Sequence, residues 1–85
     1  MKFIRTKNGY VRAMTIDYLQ VVKKEDGFDL MAYAVVNNNC ASYLLGHCKF
    51  EDNAYLRLTA LAEQLTKNED GVFDAMAPLW GTDEE

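Results

Sequence analysis

Residues 28–36 constrain the fold of this 85-residue chain more than any other stretch. They read Phe-Asp-Leu-Met-Ala-Tyr-Ala-Val-Val, with one charge and no glycine or proline. A short apolar run that holds aromatic and β-branched residues is typical of a strand buried on both faces. The stretch therefore predicts the central strand of a sheet, and the rest of the chain has to cover that sheet.

Turn signals divide the chain on either side of this stretch into further strands. Asn8-Gly9 and Asp26-Gly27 are dipeptides that tight hairpins favour, because these residues tolerate positive φ. The run Asn37-Asn38-Asn39 predicts a third turn for the same reason. Connections this short favour an antiparallel meander of four or five strands. The expected strands are residues 2–6, 10–14, 18–23, 28–36 and 41–50.

After residue 50 the apolar period changes from two to 3.6, which predicts one helix over residues 54–67. Its expected N-cap and acidic first turn come from Glu51, Asp52 and Asn53. The expected apolar stripe consists of Tyr55, Leu58, Leu61, Ala62 and Leu65, and the expected outward positions are Arg57, Glu63, Gln64 and Lys67. The predicted fold class is α+β, an antiparallel β-meander with one C-terminal helix packed on one face. An acidic tail follows, with a possible short second helix over residues 72–76.

Charge is distributed unevenly along the chain, whose net charge is −4. Residues 1–68 carry all nine Lys and Arg against seven acids, whereas residues 69–85 carry six acids and no base. We therefore expect one domain over residues 1–68 and an acidic tail over residues 69–85 that is partly packed or disordered. The tail acids are Glu69, Asp70, Asp74, Asp83, Glu84 and Glu85.

Composition also bears on where the protein acts. No apolar run approaches the ~20 residues that a membrane-spanning helix needs, and charges interrupt the apolar residues at the N-terminus. We therefore expect a cytoplasmic protein that does not contact a membrane. Basic residues cluster in the first predicted hairpin, but the body is only weakly basic, so we do not expect nucleic acid as a partner.

Three residues are the only candidates for a metal site or a catalytic pair, namely Cys40, His47 and Cys48. Zinc sites usually pair Cys and His two to four residues apart, and the adjacent His47 and Cys48 would point to opposite faces of a strand. The chain has one His and no glycine-rich turn around a nucleophile. We expect no catalytic residues, no metal and no cofactor, and two cysteine thiols rather than a disulfide.

A set of turns and apolar positions runs through residues 3–66. It comprises Asn8-Gly9-Tyr10-Val11, Ile16, Asp26-Gly27-Phe28, Leu45-Gly46, and Glu51 leading into Ala54, Leu61 and Leu65. This layout resembles small uncharacterised bacterial and phage proteins in which a β-meander is followed by one helix. The resemblance implies a fold and carries no functional residues with it. The plan also looks like that of some phage-encoded inhibitors, including some anti-CRISPR proteins.

The second face of the predicted sheet is the most informative feature for function. If the helix covers the face that carries Leu30, Ala32, Ala34, Leu44 and Cys48, strand alternation leaves a second apolar set uncovered. That set is Met31, Tyr33, Val35, Tyr43 and Leu45. An exposed patch of this size is uncommon on a monomer. Either the tail covers it, with Phe73, Met76, Leu79 and Trp80, or a second copy packs against it face to face, or the patch stays exposed.

These features predict a non-enzymatic protein–protein interaction module that associates with itself or with another protein. Aromatic anchors supply most of the energy at such interfaces. The predicted interface consists of Met31, Tyr33, Val35, Tyr43, Leu45, Phe73, Leu79 and Trp80. The alternative is a phage-type inhibitor, such as an anti-CRISPR protein or a nucleic-acid mimic, in which the tail carboxylates take the place of phosphates.

Overall fold

The computed structural model describes residues 1–77. Within them the chain forms six strands, one short 3₁₀ turn and one α-helix, which confirms the predicted α+β class. The strands are β1 (Lys2–Thr6), β2 (Gly9–Arg12), β3 (Tyr18–Lys24), β4 (Gly27–Val36), β5 (Asn39–Cys48) and β6 (Gly71–Phe73). The 3₁₀ turn spans Ala13–Thr15, and the helix α1 spans Glu51–Thr66.

The strands form two three-stranded sheets instead of one meander. The main sheet has the order β3-β4-β5, is antiparallel throughout, and holds the predicted central strand in its middle. The small sheet has the order β2-β1-β6, in which β1 pairs antiparallel with β2 and parallel with β6. The two sheets meet where the backbone N–H of Lys7 donates to the carbonyl of Leu44 at 2.8 Å.

The three predicted turns are present, and two of them are shifted by one residue. Asn37 and Asn38 have φ values of 51° and 68°, which confirms the predicted positive-φ turn between β4 and β5. In the other two hairpins the loop residues precede the glycine, because Thr6 pairs with Gly9 and Lys24 pairs with Gly27. Each glycine therefore begins a strand, with φ of 153° at Gly9 and 146° at Gly27.

The core lies between the main sheet and a second layer made of α1 and the small sheet. Ile4, Leu30 and Ala32 have no exposed surface. The rest of the buried apolar cluster is Leu45, Cys48, Ala54, Leu58, Leu61 and Ala75. On the other side of β4 the side chains are only half-buried or exposed, and Val35 is 59% exposed. The central strand therefore buries one face and not the two predicted, because only one layer packs against the sheet.

A β-bulge in β5 changes which of its side chains face the core. Leu30 pairs with Gly46 and Met31 pairs with Leu44, so Leu45 is an extra residue in the ladder. A bulge interrupts the strict alternation of side chains. Leu45 is 5% exposed within the core and Tyr43 packs against the same cluster. The prediction that Tyr43 and Leu45 share a face with Met31 was therefore wrong, and Leu44 takes their place there.

The helix begins at Glu51, three residues before the predicted start, and Phe50 is its N-cap residue. Glu51 and Asp52 confirm the acidic first turn, but the predicted polar N-cap is wrong, since a phenyl ring accepts no backbone hydrogen bond. Two of the predicted helix positions are also reversed. Arg57 is only 4% exposed, whereas Tyr55 is 53% exposed. The side of α1 that carries Arg57 is buried because it packs against the chain that follows β6.

The first part of the acidic tail belongs to the fold. Residues 71–73 extend the small sheet as β6, so the predicted short helix over residues 72–76 is wrong. The carboxylate of Asp74 then accepts the backbone N–H of Met76 at 2.8 Å and starts a turn. Ala75 enters the core, and the Met76 side chain fills the space that a Cβ at Gly46 would occupy.

Polar contacts fasten β1 to the end of the helix and to the tail. The Nζ of Lys2 donates to the carbonyl of Leu65 at 2.8 Å and also to the carbonyl of Lys67, which satisfies acceptors that a helix end leaves open. The N-terminal ammonium donates to Asp70, and this hydrogen bond holds the pKa of the Asp70 carboxyl below its usual value. These contacts hold residues 1 and 2 against the end of α1 and against Asp70.

Candidate interaction surface

The outer face of the main sheet is the side that points away from α1. Directly paired residues in neighbouring strands share a face, so the pairing register defines its membership. Its main side chains are Tyr18, Gln20, Val22, Asp29, Met31, Tyr33, Val35, Cys40, Ser42, Leu44 and His47. The core cluster lies on the opposite side, and no helix or strand of residues 1–77 lies across the outer face.

An aromatic pair lies on the outer face, with Tyr18 on the edge strand β3 and Tyr33 on the central strand β4. The rings of Tyr18 and Tyr33 lie 5.6 Å apart, centroid to centroid, and are tilted by 35°. The hydroxyl of Tyr33 donates to the side-chain oxygen of Gln20 at 3.0 Å. Tyr18 is 54% exposed. Because ring packing and a hydrogen bond already fix this pair, a ligand that binds there orders few additional torsions.

Aliphatic side chains extend the surface on both sides of the tyrosines. Val22, Met31 and Leu44 are half-buried, and Val35 is exposed. Asp17 closes the edge beside Val35, since its carboxylate accepts the Val35 backbone N–H at 2.8 Å. The result is an apolar surface that extends across three strands.

A histidine fixed by two hydrogen bonds stands at the other end of the outer face. His47 Nδ1 lies 2.7 Å from Asp29 Oδ1, and its Nε2 lies 3.2 Å from the carbonyl of Asp26. Gly27 makes room for the ring, because a Cβ there would lie 2.7 Å from Nε2. The hydrogen bond to Asp29, followed by that to the Asp26 carbonyl, raises the pKa of His47 above 6.5.

This raised pKa has a defined effect on stability. Because the folded-state pKa exceeds the unfolded one, the contribution of His47 is fully present below pH 6.5 and is lost as the pH rises through the folded pKa. We expect Asp29→Asn to lower the pKa of His47, as measured by NMR titration of the imidazole, and to reduce this pH dependence. Glu25→Gln, which removes an exposed acid from the same turn, is the control. An unchanged His47 pKa in Asp29→Asn would contradict the assignment.

The rim of the outer face is predominantly acidic. Four carboxylates border it or lie on it, together with two lysines, one at the β3–β4 turn and one whose backbone N–H donates to Leu44. The acids are Asp17, Glu25, Asp26 and Asp29, of which Asp26 and Asp29 lie beside His47, and the bases are Lys24 and Lys7. A surface of this sign attracts basic groups and repels other anions.

Three residues of the predicted interface come together on the outer face, namely Met31, Tyr33 and Val35. The other described residues of the predicted interface lie on the core side of the main sheet. Phe73 packs against the core from β6, and Tyr43 and Leu45 face the core from β5. Leu79 and Trp80 lie outside the described residues. Tyr18 and Leu44 were not among the predicted residues. The alternation of side chains along β3 places Tyr18 and Leu19 on opposite faces of the sheet, so the position of Tyr18 follows from the sequence. Nothing in the sequence indicates the bulge that separates Leu44 from the core side of β5.

The acidic tail does not present its described carboxylates as a row. Asp70 pairs with the N-terminal ammonium, and Asp74 lies 3.5 Å from the guanidinium of Arg5. Glu69 is exposed. Asp83, Glu84 and Glu85 lie outside the described residues.

The candidate metal or catalytic residues do not share one site. Cys40 is an exposed thiol that pairs across the ladder with Val35, near one end of β5. His47 and Cys48 lie at the other end, with His47 on the outer face and Cys48 in the core. Across residues 1–77 there is no group of three His, Cys, Asp or Glu side chains that could hold a metal ion.

Comparison of this chain with protein-family models, with curated proteins and with solved structures finds no match. The helix of the described residues lacks the length and apolarity needed to cross a membrane. Inferences about function therefore rest on the surface geometry described above.

Proposed function

We propose that the protein is a non-enzymatic protein-binding module. Its outer face docks a partner protein whose contact surface has an apolar centre and a basic rim. The observation that carries this proposal is the apolar and aromatic face that no helix or strand of residues 1–77 covers. Such faces are rare on monomers unless they serve binding.

The shape and composition of the outer face suit a protein partner better than a small molecule. Small ligands bind in concave sites that surround them, whereas this face is the exposed side of three paired strands. The tyrosine pair supplies aromatic area at a low entropic cost, as residues that dominate protein interfaces do. Binding would remove the remaining apolar surface of Tyr18 and Val35 from water.

The net negative charge of the rim favours a partner whose own rim is basic. With four carboxylates against two lysines, lysine or arginine on a partner gains favourable contacts around the apolar centre. The alternative of a nucleic-acid mimic is less well supported, since Asp70 and Asp74 already have cationic partners within the chain.

Two defined peptides test this chemistry. We would titrate the ¹⁵N-labelled full chain with an amphipathic helical peptide of Leu and Lys and, separately, with its Leu and Glu counterpart. The Lys peptide is expected to shift the amides of Tyr18, Met31 and Leu44, with weaker binding at high salt, and the Glu peptide is expected to bind weakly. Equal binding of both peptides, or shifts confined to α1, would exclude the proposed surface.

A pair of tyrosines with matched exposure provides the control. Tyr18 is 54% exposed on the outer face, and Tyr55 is 53% exposed on α1. Tyr18→Ser should weaken binding of the Lys peptide by about tenfold, the effect of losing an aromatic side chain that contacts the partner. Tyr55→Ser should leave the affinity unchanged.

A further inference from the structure

We propose that two copies of this chain associate through the free edges of β3. The two β3 strands run antiparallel about a twofold axis at Gln20. They join the two main sheets into one six-stranded sheet, with both outer faces on the same side. The inference concerns a strand edge and does not require that the outer face bind another protein.

The first observation is that β3 is an edge strand with unused backbone groups. In the order β3-β4-β5, no strand of residues 1–77 pairs with the other side of β3. The two-residue turn before Gly27 makes Lys24 and Gly27 a hydrogen-bonded pair, and such pairs alternate along an antiparallel ladder. The backbone groups of the intervening residues, Leu19, Val21 and Lys23, therefore point away from β4.

The second observation is that the core is open along this edge. A groove between the start of β3 and the last turns of α1 is lined by Ala13, Ile16, Leu19, Ala62 and Leu65, together with Asp17 and Tyr18. These five apolar residues are only half-buried. A strand added beside β3 would extend the main sheet over the groove and place its own core-facing side chains next to it.

The third observation is that β3 is complementary to itself in one register. About Gln20, Leu19 lies opposite Val21 of the second copy, and Tyr18 lies opposite Val22. Every core-side pair in this register is therefore apolar. Moving the axis to Val21 would place Lys23 opposite Leu19, and moving it to Leu19 would leave only residues 18–20 of each β3 strand paired. The register about Gln20 therefore pairs the most apolar residues without placing a charge opposite them.

This register also accounts for the lysines at the end of the strand. Lysines on an edge strand normally prevent association with another strand. In the pairing about Gln20 the paired residues are 18–22 of each copy, so Lys23 and Lys24 lie beyond the paired segment, and the lysines disfavour the registers that place them opposite an apolar residue. Five paired residues span about 17 Å, so the interface is at the small end of the range and the dimer should be reversible.

The test uses a charge pair at the twofold axis. Sedimentation equilibrium of the full chain should show a mass that rises from one copy to two with concentration. Gln20→Lys and Gln20→Glu each place like charges opposite each other and should each weaken the dimer at least tenfold. An equimolar mixture of the two variants should associate again, because Lys then faces Glu. Circular dichroism checks that both variants are folded.

Three outcomes would overturn the proposal. One is a chain that remains a single copy at concentrations up to about 1 mM, because even a weak dimer has a dissociation constant below this value. Another is that the Gln20 variants dimerise like the original chain, or that their mixture does not recover. The third is that only Leu44→Glu separates the copies, since Leu44 lies on β5, away from the β3 edge. In that case the copies stack through their outer faces, and the peptide titration still tests the proposed function independently.

Discussion

Replacing Gly27 with alanine is expected to lower the free energy of unfolding by about 2–5 kcal/mol. Two effects add together. The first is conformational, because Gly27 has a φ of 146°, which residues with a Cβ rarely adopt. The second is steric, because the new Cβ would collide with the backbone carbonyl of Cys48 and with the His47 ring. The carbonyl cannot move without shifting β5. Urea denaturation of the variant measures the loss.

Gly9 provides a matched control, because it follows the same kind of two-residue turn. Its φ is 153°, but a Cβ built there meets no atom within 4 Å. Gly9→Ala should therefore show the backbone cost alone, about 1–3 kcal/mol. The difference between the two variants measures the collision at Gly27. If the two losses were equal, the collision would have no energetic effect and our account of Gly27 would be wrong.

Replacing Arg57 with methionine is expected to destabilise the protein by about 2–4 kcal/mol and to loosen residues 71–77. One guanidinium nitrogen donates to the carbonyl of Ala75 at 3.3 Å and to that of Ala77 at 2.7 Å. Both carbonyls would lose this charged donor. The loss is limited because the buried Nε of Arg57 has no acceptor within residues 1–77, so its removal regains some desolvation energy.

Hydrogen exchange of the β6 amides and urea denaturation together measure this effect. Arg57→Lys, which keeps a charge but has a different donor geometry, should show an intermediate loss. Arg12→Met removes an exposed arginine from β2 and should change stability by less than about 0.5 kcal/mol. If Arg57→Met lowered stability without faster exchange in β6, the tail would be held by other contacts.

Sequence signals within a few residues were sufficient to predict those elements whose conformation depends on neighbouring residues. The asparagine turn at Asn37 and Asn38, the alternation of β3 and the apolar period of α1 all depend on neighbouring residues. The helix boundaries and the exposure of Tyr55 and Arg57 depend instead on what packs against α1. From the sequence Arg57 is expected on the surface, but its guanidinium is buried because it donates to a backbone carbonyl of the turn after β6.

The parts of the surface that could not be predicted depend on pairing between distant residues. The bulge at Leu45 exchanges the faces of Leu44 and Tyr43, and no dipeptide signal marks it. β6 is a three-residue strand whose partner, β1, lies at the other end of the chain, so its sequence resembles a loop. Met31, Tyr33 and Val35 were placed correctly because β4 keeps strict alternation through the middle of the main sheet.

The parallel pairing of β1 with β6 has a consequence for the order in which this protein folds during synthesis. Lys2 pairs with Gly71, so one edge of β1 has no partner until residues 71–73 have been translated. The main sheet and α1 depend on contacts between residues closer in sequence and can form earlier. Closing the small sheet is then a late step, and until it is complete the nascent chain exposes the β1 edge to chaperones and to other nascent chains.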